Sequence, residues 1–376
     1  MKIDQNIKLD FDNVLIKPKR SNLNSRSEVS LVRQFKFPHS NRTLNCVPIV
    51  AANMDTTGSF NMAKSLAEFQ CLTCLHKHYN ADVLGEFFSD VNTIEYTFYA
   101  TGIAKNDITK LDYVFSDLQQ KNITLPNICI DVANGYSENF VKVCKHIRSI
   151  YPEIIIMAGN VVTPEMVEEL IMHGGVDIVK LGIGSGSVCT TRLKTGIGYP
   201  QLSSILECVD TAHSLNGHIC SDGGCTTPAD VCKAFAANAD FVMLGGMLAG
   251  TDCCEGEWEY EYRQAMVNND GTVRNEWWQP FDPGYKESEK RKKSLKFYGM
   301  SSKEAMDKHH GGVANYRTSE GRCVTIPYKG LTKDIIQDIL GGIRSSCTYV
   351  GAKHIKDFSK NTTFILVNNT HNKVYT

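Results

Sequence analysis

No stretch of this sequence reaches the 18 or so consecutive apolar residues that a membrane-spanning helix needs. Its first 20 residues alternate charged and apolar positions where a secretion signal would hold an unbroken apolar core. Net charge is nearly absent as well. Forty basic residues against 41 acidic ones leave a formal charge of −1. That removes the overall basic excess of a dedicated nucleic-acid binder and requires any charged ligand to be held locally. No GxGxxG follows the first β-rich run, as an open dinucleotide-binding sheet would want. There is no internal repeat or low-complexity segment. Cys71-Leu-Thr-Cys74 has no second cysteine pair to complete a zinc site, and its apolar setting reads as strand core. The 14 cysteines, scattered through apolar segments, lack the spacing of a secreted disulfide scaffold. They predict reduced thiols, mostly acting as small buried hydrophobes, in a cytosolic chain.

What is present is an alternation. Short β-rich runs fall at 49–53, 72–76, 96–101, 127–133, 153–158, 176–181, 218–221 and 240–244, with amphipathic candidates at 60–69, 137–150, 164–173, 200–215 and 228–237 between them. Proline opens several of these, as suits a first helical turn. Eight β runs separated by helices predict a closed parallel (β/α)8 barrel, a TIM barrel in the α/β class. The 376 residues exceed the roughly 250 of a typical single barrel. The surplus is expected in an N-terminal arm, a C-terminal arm beyond Gly351 and a lid after the eighth strand, all within one domain, 1–376. The lid region is 251–330. Within it an extended insertion at about 252–297, polar, charged and aromatic, reads as a long surface loop too poor in aliphatic residues for a separate core. The basic run Lys290-Arg-Lys-Lys293 reads as a solvated face, and helical patterning returns at 331–340.

Polar residues and glycines cluster just after the β runs, where such barrels build active sites: Asn53-Met-Asp55, His76-Lys-His78, Asp131-Val-Ala-Asn-Gly135, Gly159-Asn160, Asp222-Gly-Gly224 and Gly245-Gly246. The pairs Gly223-Gly224 and Gly245-Gly246 follow strands seven and eight, whose loops form the recurrent phosphate site of this fold. The most informative stretch is Gly182-Ile-Gly-Ser-Gly-Ser-Val-Cys-Thr-Thr-Arg192. Its glycines permit close ligand approach and expose amides and carbonyls. A cysteine at its end, near amide donors and Arg192, suits a nucleophile, although a glycine-rich turn and a core cysteine would look the same. Lys77, between two histidines, suits either charge handling or a salt bridge.

These motifs, in this order, resemble the IMP dehydrogenase/GMP reductase family over nearly the whole chain. The matching stretches include Ala51-Ala-Asn-Met-Asp55, His76-Lys-His-Tyr79, Met157-Ala-Gly-Asn-Val-Val-Thr163, Ser187-Val-Cys-Thr-Thr-Arg192, Ser221-Asp-Gly-Gly224, Phe297-Tyr-Gly-Met-Ser-Ser302, Tyr316-Arg-Thr-Ser-Glu-Gly321 and Gly341-Gly-Ile-Arg-Ser345. In its reductase branch the resemblance implies irreversible reductive deamination of GMP to IMP and ammonia with NADPH, through a thioimidate on Cys189. Thr191 and Glu320 would exchange protons with the departing amine, and Lys77 would assist near the cofactor. GMP would be held by Ser187, Asp222, Gly223, Gly224, Gly245, Gly246, Gly299, Met300, Ser301, Arg317, Thr318, Ser319, Glu320 and Gly321. NADPH would meet Lys77, Asp131, Val132, Ala133, Ile183, Gly184, Met300, Tyr316 and Arg317, with Ser25, Arg26, Ser345, Ser346, Cys347 and Thr348 supplied by an adjacent subunit of a tetramer. Potassium would sit on the carbonyls of Gly184, Gly186, Cys189 and Arg192. Two departures stand out: Ser185 replaces a usual proline, and the segment after Thr251 is longer than in a short reductase.

Two other readings compete. IMP dehydrogenase shares the barrel and the cysteine. It usually carries a regulatory insertion between the second and third strands, for which this chain has no room, a glutamine where Glu320 stands, and an Arg-Tyr pair that finds only a reversed Tyr262-Arg263 here. A catalytically silent nucleotide-binding regulator is opposed by the intact Cys189, Thr191, Glu320 and Lys77.

Overall fold

In the computed structural model, which describes residues 3–89, 94–267, 273–278 and 289–370, eight parallel strands close into a barrel. In chain order they are Ile49–Ala51, Leu72–Leu75, Thr97–Thr101, Asn127–Asp131, Ile156–Val161, Ile178–Leu181, His218–Asp222 and Phe241–Leu244. The eighth pairs with the first (Val242 with Ile49), so the barrel has no free edge. All eight expected strands are present, with the fifth starting later than its expected 153. The helices Phe60–Ala67, Glu138–Ile150, Pro164–Met172, Gln201–Ser214 and Pro228–Ala236 match the amphipathic candidates. Two more, Ala81–Phe88 and Lys105–Gln120, complete the ring after strands two and three. The closing helix is Thr332–Val350, well beyond the expected 340, because Ile343, Cys347 and Val350 continue its buried stripe. None of the described helices is long and apolar enough to cross a membrane.

Alternation along the strands decides what fills the barrel. Val50, Leu72, Cys74, Phe98, Ala100, Cys129, Met157, Ile178, Cys220 and Met243 share one interior cluster. It is sealed from below by Phe35, Phe37, Leu44 and Cys46 of the hairpin Arg33–Phe37/Arg42–Cys46. The outward-facing residues pack against the helices in two larger clusters. Cys71 and Cys74 are fully buried in this apolar packing, as strand core requires. Moving two residues along from Cys129, Ile178 and Cys220 leads to Asp131, Lys180 and Asp222, so the interior changes from apolar to charged one layer higher. Gly159 makes room for this layer, since a Cβ there would lie 2.8 Å from that of Lys180.

The insertion departs from the expected loop. Trp258–Val267, Val273–Trp278 and Glu289–Tyr298 are strands, joined by Cys323–Pro327 in a four-stranded antiparallel sheet. The alternation Trp258-Glu-Tyr-Glu-Tyr262 is a period-two pattern that explains the first of them. Its charged positions had read as loop. Residues 268–272 and 279–288 of the insertion lie outside the described residues. In the basic run, Lys290 and Arg291 are exposed strand residues, and Arg291 pairs with Glu261 at 2.7 Å. Both arms meet on the surface: Val14–Ile16 pairs antiparallel with Phe364–Leu366.

Candidate active site

At the carboxyl ends of the strands lies a cavity of about 250 Å³. Its floor is the charged layer. The Lys180 ammonium, 2% exposed as a residue, lies 2.6 Å from both Asp131 Oδ1 and Asp222 Oδ2. Burial alone would pull Lys180 down and push Asp131 up, but their mutual attraction wins, so Lys180 is held above and Asp131 below its ordinary range. Asn160 Nδ2 donates to Asp222 Oδ2 at 2.9 Å and to the Gly182 carbonyl at 2.7 Å. Its Oδ1, also buried, has no hydrogen-bond partner among the described residues. The sequence reading assigned no role to Lys180 or Asn160. A lysine within the apolar run Ile178-Val-Lys-Leu181, on the inward parity, was the available signal.

The wall is the loop after strand six. Cys189 Sγ lies 3.2 Å from Thr191 Oγ1, which donates at 2.8 Å to Glu320 Oε2. Two near neighbours in sequence and a third 129 positions beyond Thr191 thus form a continuous thiol–hydroxyl–carboxylate line. The backbone fixes it: Cys189 bridges Gly321 antiparallel, Thr190 N–H donates to the Glu320 carbonyl at 2.8 Å, and Arg322 N–H donates to the Val188 carbonyl at 2.9 Å. Glu320 N–H in turn donates to the Ser301 carbonyl at 3.0 Å. Cys189 is partly exposed, in contrast to core thiols such as Cys71 and Cys347, which burial pushes up to about 12.

The same cavity is lined by Asp131, Val132, Ala133, Ile183 and Gly184 of the expected cofactor set, and by Ser187, Asp222, Gly223, Gly224, Gly245, Gly246, Gly299, Met300, Ser301 and Glu320 of the expected substrate set. Two of the glycines leave no room for a side chain: a Cβ on Gly246 would lie 2.8 Å from Ser187 Oγ, and one on Gly223, at φ 98°, would lie 2.5 Å from Ser185 Oγ and 3.1 Å from the Gly186 amide nitrogen.

Other expected site residues lie elsewhere. Lys77 pairs with Asp107 at 3.0 Å and does not line the cavity. The Arg192 guanidinium contacts Asp10 at 3.1 Å and the Tyr199 carbonyl at 2.7 Å, which turns it away from the thiol it was expected to assist. Tyr316, Arg317 and Thr318 are exposed; neither they nor Ser319 and Gly321 line the cavity. Ser25, Arg26 and Thr348 share a separate groove with Leu23, Asn24 and Tyr349. Ser345, Ser346 and Cys347 lie on the helix Thr332–Val350, and the Cys347 side chain is fully buried in the core.

A glycine-cradled cleft with a partly exposed cysteine at the mouth of a closed barrel matches what the chain aligns with. It fits the IMP dehydrogenase / GMP reductase domain over residues 8–273 and 282–373, and the chain belongs to that family. Within it the sequence stands with the GMP reductases: it is 51% identical to the GMP reductase of Aeromonas salmonicida and 50% identical to that of Vibrio cholerae, each alignment covering the whole chain and 99% of the relative. The GMP reductase of Caenorhabditis elegans is 50% identical over the whole chain and 96% of its own length. The strands of the insertion therefore belong to a length that these relatives share.

Proposed function

We propose that this chain reduces GMP to IMP and ammonia with NADPH, using Cys189 as nucleophile and the Thr191–Glu320 pair as its proton relay. The observation that carries this reading is the line from Sγ through Oγ1 to Oε2, held against a cavity whose glycine cradle suits a nucleotide phosphate. The Cys189 thiolate adds to C2 of the guanine ring, and the C2–N bond breaks once its amine is protonated. A carboxyl group in hydrogen-bond contact with the Thr191 hydroxyl can deliver that proton, which a glutamine amide cannot. Ammonia leaves and a thioimidate remains on Cys189. NADPH, when bound, supplies the hydride that C2 needs before the C–S bond breaks and IMP departs. Asp222 accepts from the ribose hydroxyls, oriented by Lys180 and Asn160.

The residues present fit the cofactor. Asn160 Oδ1 is an orphaned acceptor in the cavity that suits an amide donor, and Asp131, Val132, Ala133 and Met300 line the same space. The groove of Ser25, Arg26 and Thr348 lies apart from this cavity and suits the far end of a cofactor bound by a neighbouring subunit, in a tetramer in the cytosol. Arg26, exposed beside that groove, suits a 2′-phosphate. The cation loop is contiguous: Gly184 packs on the Arg192 side chain and Gly186 on Cys189. Main-chain carbonyls there suit potassium, a hard cation whose bound charge would steady the loop carrying the thiol. Absorbance at the reduced-nicotinamide band tests the reading. Oxidation of NADPH with GMP, and not reduction of NAD with IMP, is the expected result; the reverse would make the chain a dehydrogenase.

A further inference from the structure

The proposed substrate brings a phosphate dianion into a cavity that is already acidic. Among the described residues that line it, Asp131, Asp222 and Glu320 face a single basic residue, Lys180, which is committed to both aspartates. Amide donors alone leave that charge unbalanced.

A second cavity of about 250 Å³ shares Ser187, Gly246 and Phe297 with the first, and Arg322, Lys329 and Thr226 lie on its far side. Both cations clasp the cradle from behind. Arg322 Nε and Nη2 donate to the Ser187 carbonyl at 3.1 and 2.7 Å. Lys329 Nζ donates to the carbonyls of Gly246 and Met247 at 2.8 and 3.3 Å. Neither forms an ion pair with a carboxylate among the described residues. Their own backbones are pinned by Arg322 N–H to the Val188 carbonyl and Lys329 N–H to the Gly250 carbonyl, so the clasp is fixed to the loops it holds.

We propose that Arg322 and Lys329 are the counter-charges that select a 5′-phosphorylated substrate, acting through the peptide groups of Ser187 and Gly246 that they hold. This rests on the GMP reading of the cavity. Binding a carbonyl from behind polarises the peptide groups and fixes how the cradle is presented, while the two positive charges offset the dianion without touching it. They are positioning residues for the phosphate and take no part in the thioimidate chemistry.

Full-length R322Q, K329M and the double variant, beside the conservative R322K and K329R, test this by GMP titration at saturating NADPH with guanosine as competing nucleoside. Each single variant should raise KM for GMP about tenfold and the double variant about a hundredfold, with kcat falling less than about threefold. The guanosine inhibition constant should stay near the parental value, and the conservative swaps should restore most of the GMP affinity. An unchanged KM in the double variant overturns the proposal, as does parallel weakening of GMP and guanosine, which would make the pair a mere structural brace. A parental chain that fails to oxidise NADPH with GMP would instead remove the reading of the cavity on which the proposal stands.

Discussion

Each end of the barrel sets aspartate against cations, buried at one end and half-buried at the other, and the two ends use the arrangement differently. At the lower end Asp240 is fully buried. It accepts from Arg33 at 2.7 Å, His213 at 2.8 Å and the Ile219 amide at 2.9 Å, beneath a cap of phenylalanines. At the upper end Asp131, Asp222 and Lys180 border a cavity, and their neighbour Asn160 keeps an acceptor free. A carboxylate whose two oxygens both hold partners under an apolar cap holds the fold together; polar contacts left partly open beside a cavity are available to a ligand. Variants at the two ends should therefore separate turnover from stability.

The largest separation is expected from Cys189→Ala, which should lower turnover by about three orders of magnitude or more while GMP still binds and Tm holds, because only the nucleophile is removed. Calorimetric GMP titration beside the NADPH assay checks this. Lys180→Met leaves two half-buried carboxylates bordering the cavity with no cation between them, so it should cost about 3 kcal/mol in thermal unfolding and weaken GMP binding as well. Asp240→Asn should lower Tm by a comparable mechanism but a smaller margin, since an amide can still accept from the Ile219 N–H. Its KM for GMP should stay parental.

The smallest effect is a pH dependence at the lower end. Burial pushes Asp240 up, but His213, His218 and Arg33 outweigh it and hold the carboxyl far below its ordinary range. Its contribution is thus full above the unfolded carboxyl value of about 3.9 and lost as pH falls below that. His213 is raised, chiefly by its hydrogen bond to Asp240. Its contribution is full below about 6.5 and lost as pH rises through the raised value. The parental Tm should therefore sag on both sides, and Asp240→Asn should flatten the sag at higher pH.

The barrel was legible because eight hydrophobic runs recur with helical stripes after six of them, and the cradle because its glycines fall at strand ends. Cys189, Thr191 and Glu320 carried their signal in the family motifs, and the structure brings them into one line. Lys180 was overlooked because strand membership was read without inward parity, where a charge two residues past Ile178 would have marked the floor; Asn160 was placed among the strand-end residues but given no role. Trp258–Val267 hid its period-two pattern among glutamates and was read as loop. That Arg192 turns toward Asp10 and Lys77 toward Asp107 depends on partners distant in sequence or across a connection, which no local pattern reports.

The central claim is that Glu320 works through Thr191 on the amine that leaves the Cys189 adduct. Rapid-quench measurement of ammonia formation in Glu320→Gln with GMP and NADPH tests it most directly. The account predicts ammonia release slowed by about a hundredfold, with GMP affinity within a few-fold of the parental value. Release at the parental rate, with affinity alone weakened, would contradict it and leave Glu320 as a brace for the loop.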